Sequence, residues 1–246
     1  MLAIIGGSGL AKLADLGNAR REVVRTPYGD PSCALTYGEI DGHPIVFLAR
    51  HGYGHTIAPH EINYRANIWA LRSVGVSRVV AVATVGGIRA DCVAGALVVP
   101  DQIIDYTSGR RHTFFEGTEQ PVMHIDFTLP YDATMRRRVL EAAERAGEPV
   151  IDGGVYGCTQ GPRLETAAEI DRLERDGCCL VGMTGMPEAA LARECQLAYA
   201  ALSPVANVAA GRGDSHAAIS LEAIGVVLDA TMGRVRRILV EVARGA

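Results

Sequence analysis

Residues 48–69 read "LARHGYGHTIAPHEINYRANIW", which places Arg50, His51, His55, His60 and Arg65 within sixteen positions, directly after the apolar run 44–48. Such a concentration of cationic or near-cationic groups at a strand end admits a metal, a nucleic acid or a small anion. The planar fork of an arginine suits phosphate bidentately. The histidines are spaced H-x3-H-x4-H, but Gly52, Gly54 and Pro59 interrupt any helix that would put them on one face, and no glutamate stands between them as in a helical zinc motif. A small anion, or histidines that are simply solvated or satisfied in the fold, remain the readings this pattern favours.

Four further clusters have chemical potential. Gly6-Gly7-Ser8-Gly9 is a glycine turn after an apolar run and can aim backbone N–H groups at an anion. It is neither a dinucleotide fingerprint, because Lys12 stands where the last glycine is needed, nor a Walker loop. In "TQGPRLETAAEI" (159–170) Glu165 stands at an expected helix start. It is there either as a first-turn carboxylate favoured by the helix dipole or as an acceptor held for a ligand. In "VGMTGMPEAALARE" (181–194) Thr184 can offer a hydroxyl to an anion and Met183 can pack on a sugar face. Asn207 follows a further apolar run. Each cluster alone also fits an ordinary strand–helix connection.

The elements that must position these groups alternate. Buried strands are expected at 2–5, 45–49, 78–85, 95–104 with a break at Pro100, 155–159, 180–183 and 197–205. Helices are expected at 61–74, 133–146, 165–176, 187–195 with proline in the first turn, and 221–243. Strands separated by helices imply an α/β fold: one domain over 1–246 with a mixed, largely parallel central sheet wrapped by helices. Ligands in such sheets sit beyond the carboxyl ends of strands, and the polar clusters follow strands repeatedly.

Composition narrows the partners. Net charge is −4, which argues against a nucleic-acid surface while leaving room for a local anion pocket. No apolar run approaches 18 residues, so no membrane span is expected. The opening "MLAIIGGSGL" lacks a basic segment followed by a long apolar stretch, and none of the six cysteines forms a C-x-x-C pair. The expectation is a cytoplasmic protein with reduced cysteines.

Taken together, "AIIGGSGL", "ARHGYGHTIAPHEINYRANIWAL", "VGGIRAD", "HIDFTLPYD", "CTQGPRLETAAEI" and "GMTGMPEAALARE" resemble, in order from residue 3 to about 194, the trimeric nucleoside phosphorylase family. That family includes purine nucleoside and methylthioadenosine phosphorylases, and the similarity is strongest to its branch acting on a 6-oxopurine thionucleoside. The resemblance implies a phosphate site at Ser8, Arg50, His51 and Thr184, a sugar contact at Met183, and base contacts at Leu164, Glu165 and Asn207. It also implies a 5′-group contact from a neighbouring subunit through His124, and a homotrimer. Inorganic phosphate would be a co-substrate, with no metal and no organic cofactor. A phosphate-contacting hydroxyl of the family falls on Ala83 here, with Thr84 beside it. Where adenine-specific members carry serine and aspartate, this chain has Glu165 and Asn207; where the family has a base-facing aromatic, it has Leu164.

Donor and acceptor patterns then choose the base. A 6-oxopurine offers N1–H and accepts at O6, whereas adenine does the reverse, so a Glu165 carboxylate and an Asn207 amide favour the former. Both would act in the bond-breaking step as the leaving base gains charge. Apolar Ile219, Leu221 and Ile224 suit a 5′-methylthio group better than a hydroxyl, although His216 nearby could bind a hydroxyl and the apolar residues could simply face the core. The expected substrate is S-methyl-5′-thioinosine. A methylthioadenosine or an inosine/guanosine phosphorylase, a nucleoside-binding protein without turnover, and a histidine-metal hydrolase are the alternatives. Replacing Arg50 by alanine is expected to raise the phosphate requirement and leave the fold intact.

Overall fold

The computed structural model describes the chain except for residues 8–9, 11–15, 118–120, 217 and 246 and the side chains of Leu221 and Ala223. Five central strands follow from short apolar runs. These are β1 (Leu2–Gly6), β4 (His43–Ala49), β5 (Arg78–Val82), β11 (Cys178–Gly182) and β12 (Ala198–Val208). Between them lie β2 (Gly17–Glu22), β3 (Leu35–Ile40), β6 (Val85–Gly87), β7 (Leu97–Val99), β8 (Gln102–Asp105), β9 (Ile151–Asp152) and β10 (Val155–Cys158). The sheet runs β2-β3-β4-β1-β5-β12-β6-β11-β10-β8, with β7 on β12 and β9 on β7. Pairing is parallel around β1, β5 and β12 and antiparallel for β2–β3, β3–β4, β6–β11 and β7–β12.

Side-chain alternation along the strands explains the layers. Ala3, Ile5, Val79, Ala81, Tyr199 and Ala201 face α1 (Tyr64–Ser73) and α4 (Gly185–Glu194). Leu2, Ile4, Val80, Val82, Ala200 and Leu202 face α2 (Ala133–Arg145) and α5 (Leu221–Arg244). A smaller core packs α3 (Ala167–Arg175) on Val181 and Ala209. The helix starts obey local capping chemistry: Asn63 and Asp132 cap α1 and α2, and Thr166 with Glu169 forms a capping box on α3.

Three expectations need correction. The 78–85 strand is two strands, β5 and β6, and they are not neighbours, because β12 lies between them. The 165–176 helix begins at Ala167, since its capping box belongs to Thr166 and Glu169, so Glu165 lies in the preceding loop. The edge strands β2 and β3 were not expected; every residue of β2 is exposed, so it has no hydrophobic signature. Among the described residues, no helix is long and apolar enough to cross a membrane, and all six cysteines are free.

The splaying of β5 from β6 creates the crevice that matters. Both pair with β12 in parallel, β5 along Ala198–Leu202 and β6 from Val205 onward, so the linking residues Ala83 and Thr84 are left at the carboxyl end of the sheet. Such a switch point is where α/β sheets hold ligands.

Candidate active site

A cavity of about 570 Å³ opens at this crevice. Arg50, His51, Thr84, Thr184, Met183, Leu164, Glu165, Asn207 and Ile224 all line it, although they come from separate parts of the chain. Ser8 lies outside the described residues; its neighbour Gly7 lines the cavity, and a Cβ there would stand 3.1 Å from Nη1 of Arg50. Leu221 opens α5, but its side chain is outside the described set. Ile219 and Leu228 join Ile224 on the apolar wall. His216 and His124 are exposed and do not line the cavity of their own chain.

Arg50 is fully buried at the end of β4, and its backbone N–H donates to the Gly6 carbonyl. Its Nε and Nη2 donate to Glu188 Oε2 and Oε1 at 2.6 and 2.9 Å, and Nη1 donates to the Val82 carbonyl at 3.0 Å. Glu188 is itself buried on α4 and also accepts from the Tyr199 hydroxyl at 2.8 Å. Burial pulls the guanidinium pKa down, but the Glu188 carboxylate and its hydrogen bonds outweigh this and hold Arg50 charged. Part of the Arg50 fork is thus already committed, with donor capacity left over. The expectation that Arg50→Ala leaves the fold intact changes with this pairing: the variant is expected to destabilise the protein, since it would strand the Glu188 charge in the core.

His51 belongs to a tightly closed loop. Its carbonyl accepts from the Thr56 and Ile57 N–H groups, and its Nδ1 donates to the Ile57 carbonyl at 2.8 Å. The rings of His51 and His55 are 4.4 Å apart. Burial, with the charge of Arg50, pushes His51 down to about 4, against the opposing pull of the Ile57 carbonyl. The imidazole is therefore neutral at pH 7, with Nδ1 protonated and Nε2 left as an acceptor. A folded pKa below the unfolded 6.5 means the unfolded chain takes up its proton first. Stability contributed by this residue is full above about pH 6.5 and is lost as the pH falls toward 4, an effect of about 2–3 kcal/mol. The wild type minus His51→Asn difference in unfolding free energy, followed by urea titration from pH 7 to pH 4, should fall across this window; a flat difference would refute the assignment. Among the described residues, no three His, Cys, Asp or Glu side chains are grouped to hold a metal ion.

Thr84 stands out for what it lacks. The residue lines the cavity, while its hydroxyl is turned away from solvent and, among the described residues, has no hydrogen-bond partner; a χ1 rotation would bring it to a ligand. An unsatisfied buried hydroxyl costs about 1–3 kcal/mol, a debt that a bound anion or sugar hydroxyl would cancel. Thr84→Val is expected to leave thermal stability unchanged or raise it by about 1 kcal/mol, while raising the KM for phosphate or nucleoside roughly tenfold. Wild-type KM values in the variant would remove Thr84 from the site.

Another part of the wall is built by the loop before α3. Gly161 has φ +60 and its missing Cβ would lie 2.4 Å from Sδ of Met183, so glycine is required for the loop to close over the methionine. The Thr159 hydroxyl donates to Glu165 Oε1 at 2.6 Å, which fixes the carboxylate. Leu164 is 41% exposed and is an aliphatic part of the cavity lining. Asn207 sits at a register shift between β12 and β6, and its Nδ2 donates to the Val208 carbonyl at 2.7 Å. One amide hydrogen is thus committed; the other, and Oδ1, remain for a ligand. Thr184 is buried at the entry to α4, and its hydroxyl caps no helical N–H.

Sequence reasoning missed Glu188 and Arg110. Glu188 had a signal: it shares a helical face with Leu191, Ala192 and Cys195, an apolar stripe in which a carboxylate needs a buried partner. Arg110, inside the polar run "SGRRHT", had none.

The crevice at the sheet switch point thus gathers a buried cation, hydroxyl side chains, a fixed carboxylate and an amide around one ligand-sized space. Across residues 1–244 the chain matches the model of the phosphorylase superfamily, and it belongs to that superfamily. It is 52% identical over 244 residues to "Probable S-methyl-5'-thioinosine phosphorylase" of Xanthomonas campestris, covering 99% of this chain and 97% of that protein. It is 47% identical over 215 residues to the 6-oxopurine nucleoside phosphorylase of Pyrococcus furiosus, covering 85% and 80%. Its fold superposes on methylthioadenosine phosphorylase from Schistosoma mansoni in complex with adenine with a TM-score of 0.93 at 30% identity, covering 99% and 90%. The chain is thus an enzyme of the pentosyltransferase type.

Proposed function

We propose that the protein cleaves the glycosidic bond of a 6-oxopurine 5′-methylthionucleoside, S-methyl-5′-thioinosine, with inorganic phosphate, releasing hypoxanthine and 5-methylthioribose 1-phosphate. The observation that carries this reading is the carboxylate of Glu165, fixed by Thr159 on the cavity wall that it shares with the amide of Asn207. Phosphate attacks the anomeric carbon, the sugar becomes oxocarbenium-like, and the purine departs with growing negative charge. Glu165 accepts N1–H, while Asn207 donates its free amide hydrogen to O6 or N7 and stabilises that charge. Arg50, His51, Thr84 and Thr184 orient the phosphate. This chemistry asks for no metal and no organic cofactor.

The apolar wall of Ile219, Ile224 and Leu228 favours methylthio over hydroxyl at the 5′ position, and His216 stays off the cavity. His124 is exposed beside the exposed side chains Val122, Met123 and Leu129, which suits a homotrimer in which His124 reaches a neighbour's 5′ site.

Phosphate-dependent base release from methylthioinosine, methylthioadenosine and inosine, measured side by side, tests the reading. Methylthioinosine should be cleaved with the highest kcat/KM. Preference for methylthioadenosine would overturn the donor–acceptor argument, preference for inosine the 5′ assignment, and release without phosphate the reaction type.

A further inference from the structure

Outside the lining side chains, one buried cation has a distinctive environment. Arg110 is buried, yet among the described residues it forms no ion pair; its guanidinium is met by six neutral oxygens. Nη1 donates to the carbonyls of Met183 and Met186 at 2.8 and 2.6 Å and to the Tyr64 hydroxyl at 3.2 Å. Nη2 donates to the carbonyls of Thr159 and Gln160 at 3.3 and 2.9 Å, and Nε to Oε1 of Gln160 at 3.2 Å.

These acceptors belong to the separate walls of the active site. Thr159 holds the Glu165 carboxylate, so its carbonyl anchors the base-reading loop. Met183 and Met186 bracket Thr184 at the entry to α4. Tyr64 donates onward to the carbonyl of Pro59, which lines the cavity at the far end of the His51 loop. A single rigid fork therefore ties together the segments that carry the base, sugar and phosphate contacts. A buried charge without a counter-ion is costly, and its retention is explained when its donors are spent on many carbonyls at once.

We infer that Arg110 is a positioning residue for the reaction: it touches no substrate, and it sets the registration of the base-reading loop against the turn at Met183. The kinetic part of this inference rests on the function proposed above; the structural part does not. A lysine keeps the charge but cannot span acceptors on three segments, so Arg110→Lys is the informative variant, with Arg110→Met as its partner.

The experiment combines hydrogen–deuterium exchange of the full-length protein with kinetics on methylthioinosine and methylthioadenosine. In Arg110→Lys, residues 159–165 and 183–186 should exchange faster together, by roughly tenfold or more, with the strands β1, β4 and β5 unchanged. The kcat/KM for methylthioinosine should fall about 100-fold, as expected for ångström-scale misplacement, and its advantage over methylthioadenosine should shrink at least tenfold. Faster exchange confined to residues 106–112, an equal loss for both nucleosides, or unaltered kcat/KM would each overturn the inference. If Arg110→Met does not fold, the lysine variant decides. If the wild type cleaves neither nucleoside, the proposed function fails, and the exchange pattern still decides whether Arg110 couples the two segments.

Discussion

Glu188→Ala is expected to destabilise the protein by about 3–5 kcal/mol, because it leaves the Arg50 guanidinium buried and unpaired. The single-variant melting temperature should fall by roughly 6–20 °C for a chain of this size. The Tyr199 hydroxyl loses its acceptor in the same step and adds to the cost. Activity should fall further than stability explains, since an unpaired Arg50 is free to leave the position in which Glu188 holds it on the cavity wall. Removing both charges, as in Arg50→Met with Glu188→Leu, should recover most of the melting temperature and none of the phosphate-dependent turnover. Thermal melts and phosphate titrations of Arg50→Met, Glu188→Leu and the double variant close the cycle. A Glu188→Ala protein as stable as wild type would show that the pair is not confined as its burial indicates.

The second large effect concerns base choice. Glu165→Ser combined with Asn207→Asp should move the kcat/KM ratio of methylthioinosine to methylthioadenosine toward adenine by a factor on the order of 10³, from two buried donor–acceptor mismatches of about 1–3 kcal/mol each. Serine can donate to adenine N1, where the carboxylate presents lone pair to lone pair, and aspartate can accept from the 6-amino group. Thr159 loses its carboxylate partner in the variant, so the single Glu165→Ser change should lower turnover on both bases as well as alter their ratio. A double variant that keeps the wild-type ratio would place base reading elsewhere in the cavity.

Much of this was legible in the sequence because apolar runs and their polar ends are local signals. Residues 2–5, 45–49 and 197–205 each read as buried strands, and the strands that form there, Leu2–Gly6, His43–Ala49 and Ala198–Val208, each end at or beside residues that line the cavity. The lining itself, from Arg50 to Asn207, was recoverable from motifs that follow strands. What escaped was relational. Nothing near Val82 tells that a strand more than a hundred residues later will separate it from Val85. The ion-pair partner of Arg50 lies 138 positions away. The edge strand β2 has no large apolar side chain and owes its extended shape to pairing with β3, not to its own composition.

The place of β12 has a consequence for how the molecule comes to exist. β5 and β6 are adjacent in the chain but are joined in the sheet only through residues 198–208. Until that stretch has been synthesised, the nascent chain has open strand edges at the middle of its sheet, among them the apolar run 79–82. Loop closure over this distance makes the central pairing a late and slow event in folding. The crevice, which exists only because β12 divides its neighbours, is then expected among the last features to form. A fragment ending before residue 198 would carry most of the chain, yet it would have no crevice and a sheet open to pairing with other chains.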